Sequence, residues 1–332
     1  MKPKPLFLIL CFGIIVSCNK SNLEEFSISS QTDHAVLSDT AKIALIDMGN
    51  RTYLGYTGYL YPNLSNVPTG HYANDLHDFA TSIVPLDASG NVNTRKGKVG
   101  FIGVGASTCA ILMNALRGIT KGNPLTNSKL QMATCTDGGT SLNEIMDPNN
   151  ATFWNVVGQK LSQNNLTFSQ VEVIYFETDD SVNTNGFPER PLRTKNELEQ
   201  ALRTFKIKFP NIQLVYVLGR TTSFLSPRTK VTNVEPCPYY NGWACKWAIE
   251  DQINGVAGTE YKGLNAVAPM ITWGWYEWAD GTTIPRSDGF TWQRYETTDG
   301  LHANDIGKDT LAVRFQNFLL TDQYANIWYA NH

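Results

Sequence analysis

A three-layer, doubly wound α/β domain on a five-stranded parallel sheet is what this 332-residue sequence predicts. Two observations carry that expectation. Short β-branched, apolar runs alternate along the chain with amphipathic segments of helical period. The most regular of those runs, Val171 to Phe176, is apolar apart from Glu172, as befits a strand covered on both faces. After the N-terminal segments are set aside, the chain has the length of one large domain.

The elements follow in order. Lys98 to Val104 reads as the first strand and Ser107 to about Gly118 as the helix after it. Leu130 to Thr134 is the second strand, Thr152 to Leu161 the next helix, and Val171 to Phe176 the third strand. Thr194 to Phe209 places Leu198, Ala201, Leu202, Phe205 and Phe209 on one helical face. Thr194 and Glu197 offer a capping box at its start, and Pro210 stops it. Ile212 to Leu218 is the fourth strand, Trp243 to Ile253 a helix, and Val267 to Thr272 the fifth strand. A last helix from about Asp305 buries Leu311, Phe315, Phe318 and Leu319. Five strands separated by helices call for right-handed crossovers and helices on both faces.

The N-terminus reads as an export signal. Met1 to Pro5 carries two lysines and Leu6 to Val16 is apolar, too short a run to span a bilayer. Ile15-Val16-Ser17-Cys18 resembles a bacterial lipobox, in which the cysteine is lipidated and becomes the new N-terminus. The expected organisation is a lipoprotein signal over 1–17, a polar tether over 18–40 and the folded domain over 41–325. The chain would then sit in a bacterial cell envelope, membrane-anchored through lipid on Cys18. A net charge of −3 gives no footprint for nucleic acid. Cys109, Cys135, Cys237 and Cys245 remain, and Cys237 with Cys245 could staple one loop. With no CxxC and no histidine cluster, a structural zinc site is not expected, and the nucleophile chemistry that the sequence suggests needs neither a metal nor an organic cofactor. Trp273, Trp275, Trp278 and Trp292 suit either core packing or a sugar-stacking platform.

In doubly wound sheets ligands bind at the C-terminal strand edge, so the residues just after each strand matter most. Gly103-Val104-Gly105-Ala106-Ser107 puts a serine at a strand-to-helix turn, with an exposed hydroxyl and an N–H at a helix start. Both suit a nucleophile and its oxyanion, and an N-cap serine has the same local pattern. Asp299-Gly300-Leu301-His302 stands before the last helix, where a carboxylate three residues ahead can reach back to the imidazole.

Ser107 after the first strand and Asp299-x-x-His302 before the last helix together resemble the SGNH (GDSL-like) hydrolases. Longer stretches are similar to a secreted lipoprotein branch of that family: Gly58-Tyr59-Leu60-Tyr61-Pro62-Asn63 through His71, and Glu235-Pro236 through Tyr240, Gly242 and Lys246-Trp247 to Ile253. The resemblance covers roughly Ile43 to Leu320. It implies a flavodoxin-like fold and a Ser107–His302–Asp299 triad for ester hydrolysis. It also implies an oxyanion hole from the Ser107 N–H and that of Gly138 or Gly139. Two positions depart from the pattern. Ala106 replaces the acidic residue before the serine, and Asp180 stands near the place of an asparagine donor. An ionised carboxylate there cannot donate and would repel an oxyanion.

Asp180, Arg220 and His71 are candidate substrate contacts. Arg220 could clamp an anion or form a structural ion pair, and His71 with Tyr59–Tyr61 could line the cleft or cover the sheet edge. The leading function is hydrolysis of a small-molecule or carbohydrate O-acyl ester. Its rivals are a non-catalytic glycan-binding surface lipoprotein on a degenerate scaffold and a metal-dependent phosphoesterase using Asp179, Asp180 and His71.

Overall fold

The computed structural model describes residues 42–226, 231–281 and 285–332. The expected signal, Cys18 and the tether lie outside the described residues.

A two-residue hairpin, β1 (Thr52–Tyr53) and β2 (Tyr56–Thr57), precedes α1 (Gly70–Ser82). The wound part then runs β3 (Val99–Gly105), α2 (Ser107–Thr120), β4 (Leu130–Thr134), α3 (Leu142–Ile145), α4 (Ala151–Gln163) and β5 (Val171–Glu177). It continues with α5 (Glu189–Lys208), β6 (Leu214–Val217), α6 (Cys237–Ile253), β7 (Met270–Trp273), α7 (Asp305–Thr321) and α8 (Ala325–Tyr329). The five long strands pair in parallel in the order β4-β3-β5-β6-β7. That is the flavodoxin-like arrangement, with the first strand inside and the second at one edge.

Adjacent residues of β5 show why the sheet is three-layered. Tyr175 meets Phe315 of α7 at 5.3 Å between ring centroids, and Phe176 meets Phe205 of α5 at 4.9 Å. The strand alternates faces, so α2 and α7 cover one side while α4, α5 and α6 cover the other. All seven residues of β5 are buried. At the outer edge, the aromatic-glycine segment seals β7: the Tyr61 hydroxyl bonds Thr272 Oγ1 at 2.9 Å and Trp273 Nε1 donates to Leu60 O at 2.9 Å. The segment is thus a cover for the edge strand.

Several expectations change. α5 starts at Glu189, five residues before Thr194, because Pro191 falls in the first turn, where no N–H partner is needed. Thr194 is therefore a buried mid-helix residue, and Glu197 accepts from Arg193 Nε at 2.9 Å instead of closing a capping box. α6 likewise begins at Cys237, with Pro238 in its first turn. β7 spans Met270–Trp273 only, since the N–H groups of Val267 and Ala268 both turn back to Glu260 O.

Cys237 and Cys245 lie on α6 eight residues apart, about 12 Å of helical rise. A disulfide needs Cα atoms within about 7 Å, so the expected staple does not exist. Cys109, Cys135, Cys237 and Cys245 are all buried. Trp278 and Trp292 are fully buried and Trp273 nearly so, which makes them core and not a sugar platform. The packed body also continues past residue 325: Trp328 and Tyr329 are buried, and Tyr329 O accepts from Asn127 N at 2.8 Å.

Candidate active site

The site begins with a close approach of two strands. Gly105, the last residue of β3, is in register with Glu177, the last of β5. Its φ is +152°, and a Cβ there would stand 1.9 Å from Glu177 O. Only glycine lets the backbones come this near. The chain then turns, Ala106 N donates to Glu177 O at 3.1 Å, and α2 opens at Ser107. Ser107 stands where helix geometry leaves N–H groups without intrahelical partners.

The opposing wall is the loop before α7. Thr298 N donates to His302 O at 2.8 Å, closing a short turn with Gly300 at φ +105°. Asp299 Oδ1 accepts from Leu301 N and His302 N, each at 2.9 Å. Asp299 Oδ2 lies 2.7 Å from His302 Nδ1, and His302 Nε2 lies 2.8 Å from Ser107 Oγ. A carboxylate only accepts, so Nδ1 carries the proton and Nε2 is left to accept from the serine hydroxyl. Partial burial opposes the Asp299 charge. The N–H of His302, its ring and the N–H of Leu301 outweigh that and hold the carboxyl well below the usual carboxylate range. The Asp299 and His302 side chains are 49% and 35% exposed, so the pair sits at the surface, not in a deep pocket.

The residues next in sequence to Ser107 and His302 help bound a cavity of about 10 Å³, room for one water at most, walled by Thr108, Glu177, Thr221, Glu277, Leu301 and Ala303. Burial pushes the Glu177 and Glu277 carboxyls up, Glu277 well above the ordinary range. Their mutual repulsion adds to the Glu277 shift, while Arg220 opposes both. Sequence reasoning does not single out Glu277. The available signal was an acid inside the apolar run Trp273 to Trp278. Beside the histidine, an open groove of about 550 Å³ runs between Ile111, Asn114 and Ala115 of α2 and the Thr298–Lys308 stretch.

The other expected contacts are placed differently. Arg220 is buried, with Nη1 3.3 Å from Asp179 Oδ2, which also lies 3.3 Å from Arg190 Nη2. It is a structural ion pair and not a free anion clamp. Asp180 is fully buried: Oδ1 accepts from Val182 N at 2.9 Å and Oδ2 lies 3.0 Å from Arg193 Nε. Its carboxylate is buried against these protein groups and is not open to a substrate. Gly138 N donates to Asp137 Oδ1 at 2.9 Å, which leaves Gly139, at φ +81°, as the less committed donor of the two. His71 is exposed on the first turn of α1, whose neighbour Tyr72 bonds the edge strand at Ile271 O. It is not grouped with Asp179 and Asp180, and no cluster of metal-ligating side chains occurs among the described residues.

No family model and no curated protein matches this sequence. Among solved structures, the chain is similar to one titled "putative platelet activating factor" from Streptococcus pneumonia, at 13% identity and a TM-score of 0.39, over 74% of this chain and 90% of that one. It is also similar to the periplasmic domain of a lipopolysaccharide acetyltransferase from Salmonella ser. Paratyphi A, at 14% identity and a TM-score of 0.39, over 76% of this chain and 100% of that one. Likenesses this distant assign neither a family nor an activity.

Proposed function

We propose that this protein is a serine hydrolase of the SGNH kind that cleaves an ester, with an acylated carbohydrate as the substrate class. The observation that carries the reading is the unbroken series Ser107 Oγ, His302 Nε2, His302 Nδ1, Asp299 Oδ2, at 2.8 and 2.7 Å, on the C-terminal edge of a parallel sheet. Ser107 Oγ attacks the ester carbonyl and gives its proton to His302 Nε2. The tetrahedral oxyanion is held by the N–H of Ser107 and that of Gly139. Its collapse breaks the acyl C–O bond, and the alcohol leaves with the proton from Nε2. Water repeats the sequence, releasing the acid and restoring Ser107. Asp299 keeps the imidazole in the required tautomer and stabilises it when charged.

Export and a lipid anchor on Cys18 complete the proposal, supported by the N-terminal sequence pattern. Among the described residues no helix is long and apolar enough to cross a membrane. A second reading, a non-catalytic glycan-binding lipoprotein, draws on the oxyanion site: where the resemblance expects an asparagine donor stands Asp180, paired with Arg193. A fluorophosphonate probe decides between them. Hydrolysis requires covalent labelling of Ser107, lost in Ser107→Ala together with ester turnover. Labelling of a different serine overturns the assignment, and no labelling beside measurable glycan binding favours the second reading.

A further inference from the structure

On the far flank of α2 from His302, a second groove of about 340 Å³ runs between α2, the end of β4 and the last turn of α4. Its walls include Asn114, Arg117, Thr134, Thr136, Lys160 and Asn164, with no carboxylate among the described residues that line it. Arg117 Nη1 donates to Thr134 Oγ1 at 3.3 Å and Nη2 to Asn164 Oδ1, both neutral acceptors that fix the guanidinium without cancelling its charge. Among the described residues neither Arg117 nor Lys160 has an ion-pair partner. Both charges act at one place. Burial pushes the Cys135 thiol up to about 12, and Arg117 and Lys160 each pull it the other way. Two uncompensated cations in a groove of hydrogen-bonding side chains form a receptor for an oxyanionic group.

Position supplies the connection to the nucleophile. Asn114 is shared by this groove and the one beside His302, so the two meet over α2. Ala110 and Arg117 both belong to this groove, three and ten residues after Ser107. It therefore extends about 5 to 15 Å along the helix from the serine.

We propose that this groove is a subsite for a negatively charged group, a carboxylate or a phosphate, carried on an extended substrate about 10 Å or more from the scissile ester. The inference deepens the hydrolase reading and rests on it for the ester. It narrows the substrate to acylated acidic chains, because a short neutral ester cannot fill both the catalytic centre and this groove.

The test compares an acetylated oligogalacturonide with a neutral acetylated xylo-oligosaccharide, using wild type, Lys160→Gln and Lys160→Arg. The wild type is expected to favour the acidic chain. Lys160→Gln should lower kcat/KM on that chain by about tenfold, mostly through KM, and leave the neutral one unchanged. Lys160→Arg should restore the preference. In parallel, calorimetric titration with deacetylated oligogalacturonide and with inorganic phosphate reads binding without hydrolysis. Lys160-dependent binding of the first assigns a carboxylate, and of phosphate alone a phosphorylated chain. Such binding with no ester turnover would uphold the subsite and sink the hydrolase reading. Turnover with no Lys160-dependent preference or binding would overturn the subsite and leave the hydrolase reading intact.

Discussion

Asp299 is the residue on which the proposed chemistry turns most finely. An Asp299→Asn side chain keeps an oxygen for the N–H groups of Leu301 and His302, so the loop should survive. What it loses is the acceptor for Nδ1–H: the amide stabilises the opposite tautomer and leaves Nε2 protonated. In a serine protease with the equivalent pair this change lowers kcat by about 10⁴. The expected fall here is at least about 10², discounted for an aspartate half open to water. The melting temperature should move by only a few degrees. Turnover within a few fold of wild type would make the loop a structural cap. The depressed Asp299 pKa also has a stability sign: its contribution is present above the unfolded-state value and lost as pH falls through the folded one.

Glu172 shows the opposite sign. It lies in β5 with Oε1 accepting from Val84 N at 3.0 Å and Oε2 buried with no hydrogen-bond partner among the described residues. Burial pushes its carboxyl up to about 8, which the Val84 N–H offsets only in part. Between the unfolded-state value and 8 the unfolded chain has given up a proton that the folded one keeps, so stability falls as pH rises. Glu172→Gln should flatten that decline by about 2 to 4 kcal/mol between pH 5 and pH 8, read from denaturant midpoints. An unchanged slope would mean that Glu172 is already ionised in the folded protein. At this scale the sequence was legible where partners are local. Asp299 and His302 are three residues apart, so their contact could be read directly. The fates of Asp180 and Arg220 were set by Arg193 and Asp179, brought in by a separate helix and strand.

Among the elements, the loop after β6 does more than connect. Glu235 accepts from Ser223 N at 3.3 Å, Trp278 Nε1 at 3.1 Å and Lys42 Nζ at 3.1 Å. The next residue, Phe224, donates its N–H to Gly300 O at 2.7 Å, within the Asp299–His302 turn. On the proposed mechanism, Glu235 would act as a positioning residue through Phe224. Glu235→Ala should lower kcat about tenfold with little change in KM, as loss of geometry does without loss of binding. Glu235→Gln, which retains an acceptor for Ser223 and Trp278, should recover most of it. Equal losses in both variants, or a loss confined to KM, would refute the relay. The Glu235-Pro236 block stood out in the sequence, but its purpose did not, since Ser223 and Gly300 reach it only in the fold. Strand positions were legible from apolar runs, whereas the starts of α5 and α6 were hidden by prolines that first turns accept.

For the whole molecule, a parallel sheet with helices on both faces followed from alternation, its strand order was implied only by the family resemblance, and the closing of its edges was not legible. The C-terminal aromatics finish the core: Trp328 stacks edge-on to Phe101 at 5.2 Å and donates Nε1 to Tyr216 Oη at 3.4 Å. Trp328→Ala should cost about 3 to 5 kcal/mol. That corresponds to a drop of roughly 10 °C in melting temperature. A loss under about 1 kcal/mol would show the C-terminal turn to be a detachable appendage.

The four buried cysteines carry a consequence for following this protein in time. Burial raises every one of these thiols, Cys109 well above the ordinary range and Cys135 to about 12. An alkylating reagent reacts with thiolate, and needs access to it, so the native body presents it almost nothing. Cys109 and Cys135 lie against the β3–β4 centre, Cys237 and Cys245 on α6 across the sheet. Alkylation at moderate pH therefore acts as a clock for spontaneous opening. Equal rates at all four sites would report a single cooperative event, and a faster pair would show which layer lifts first.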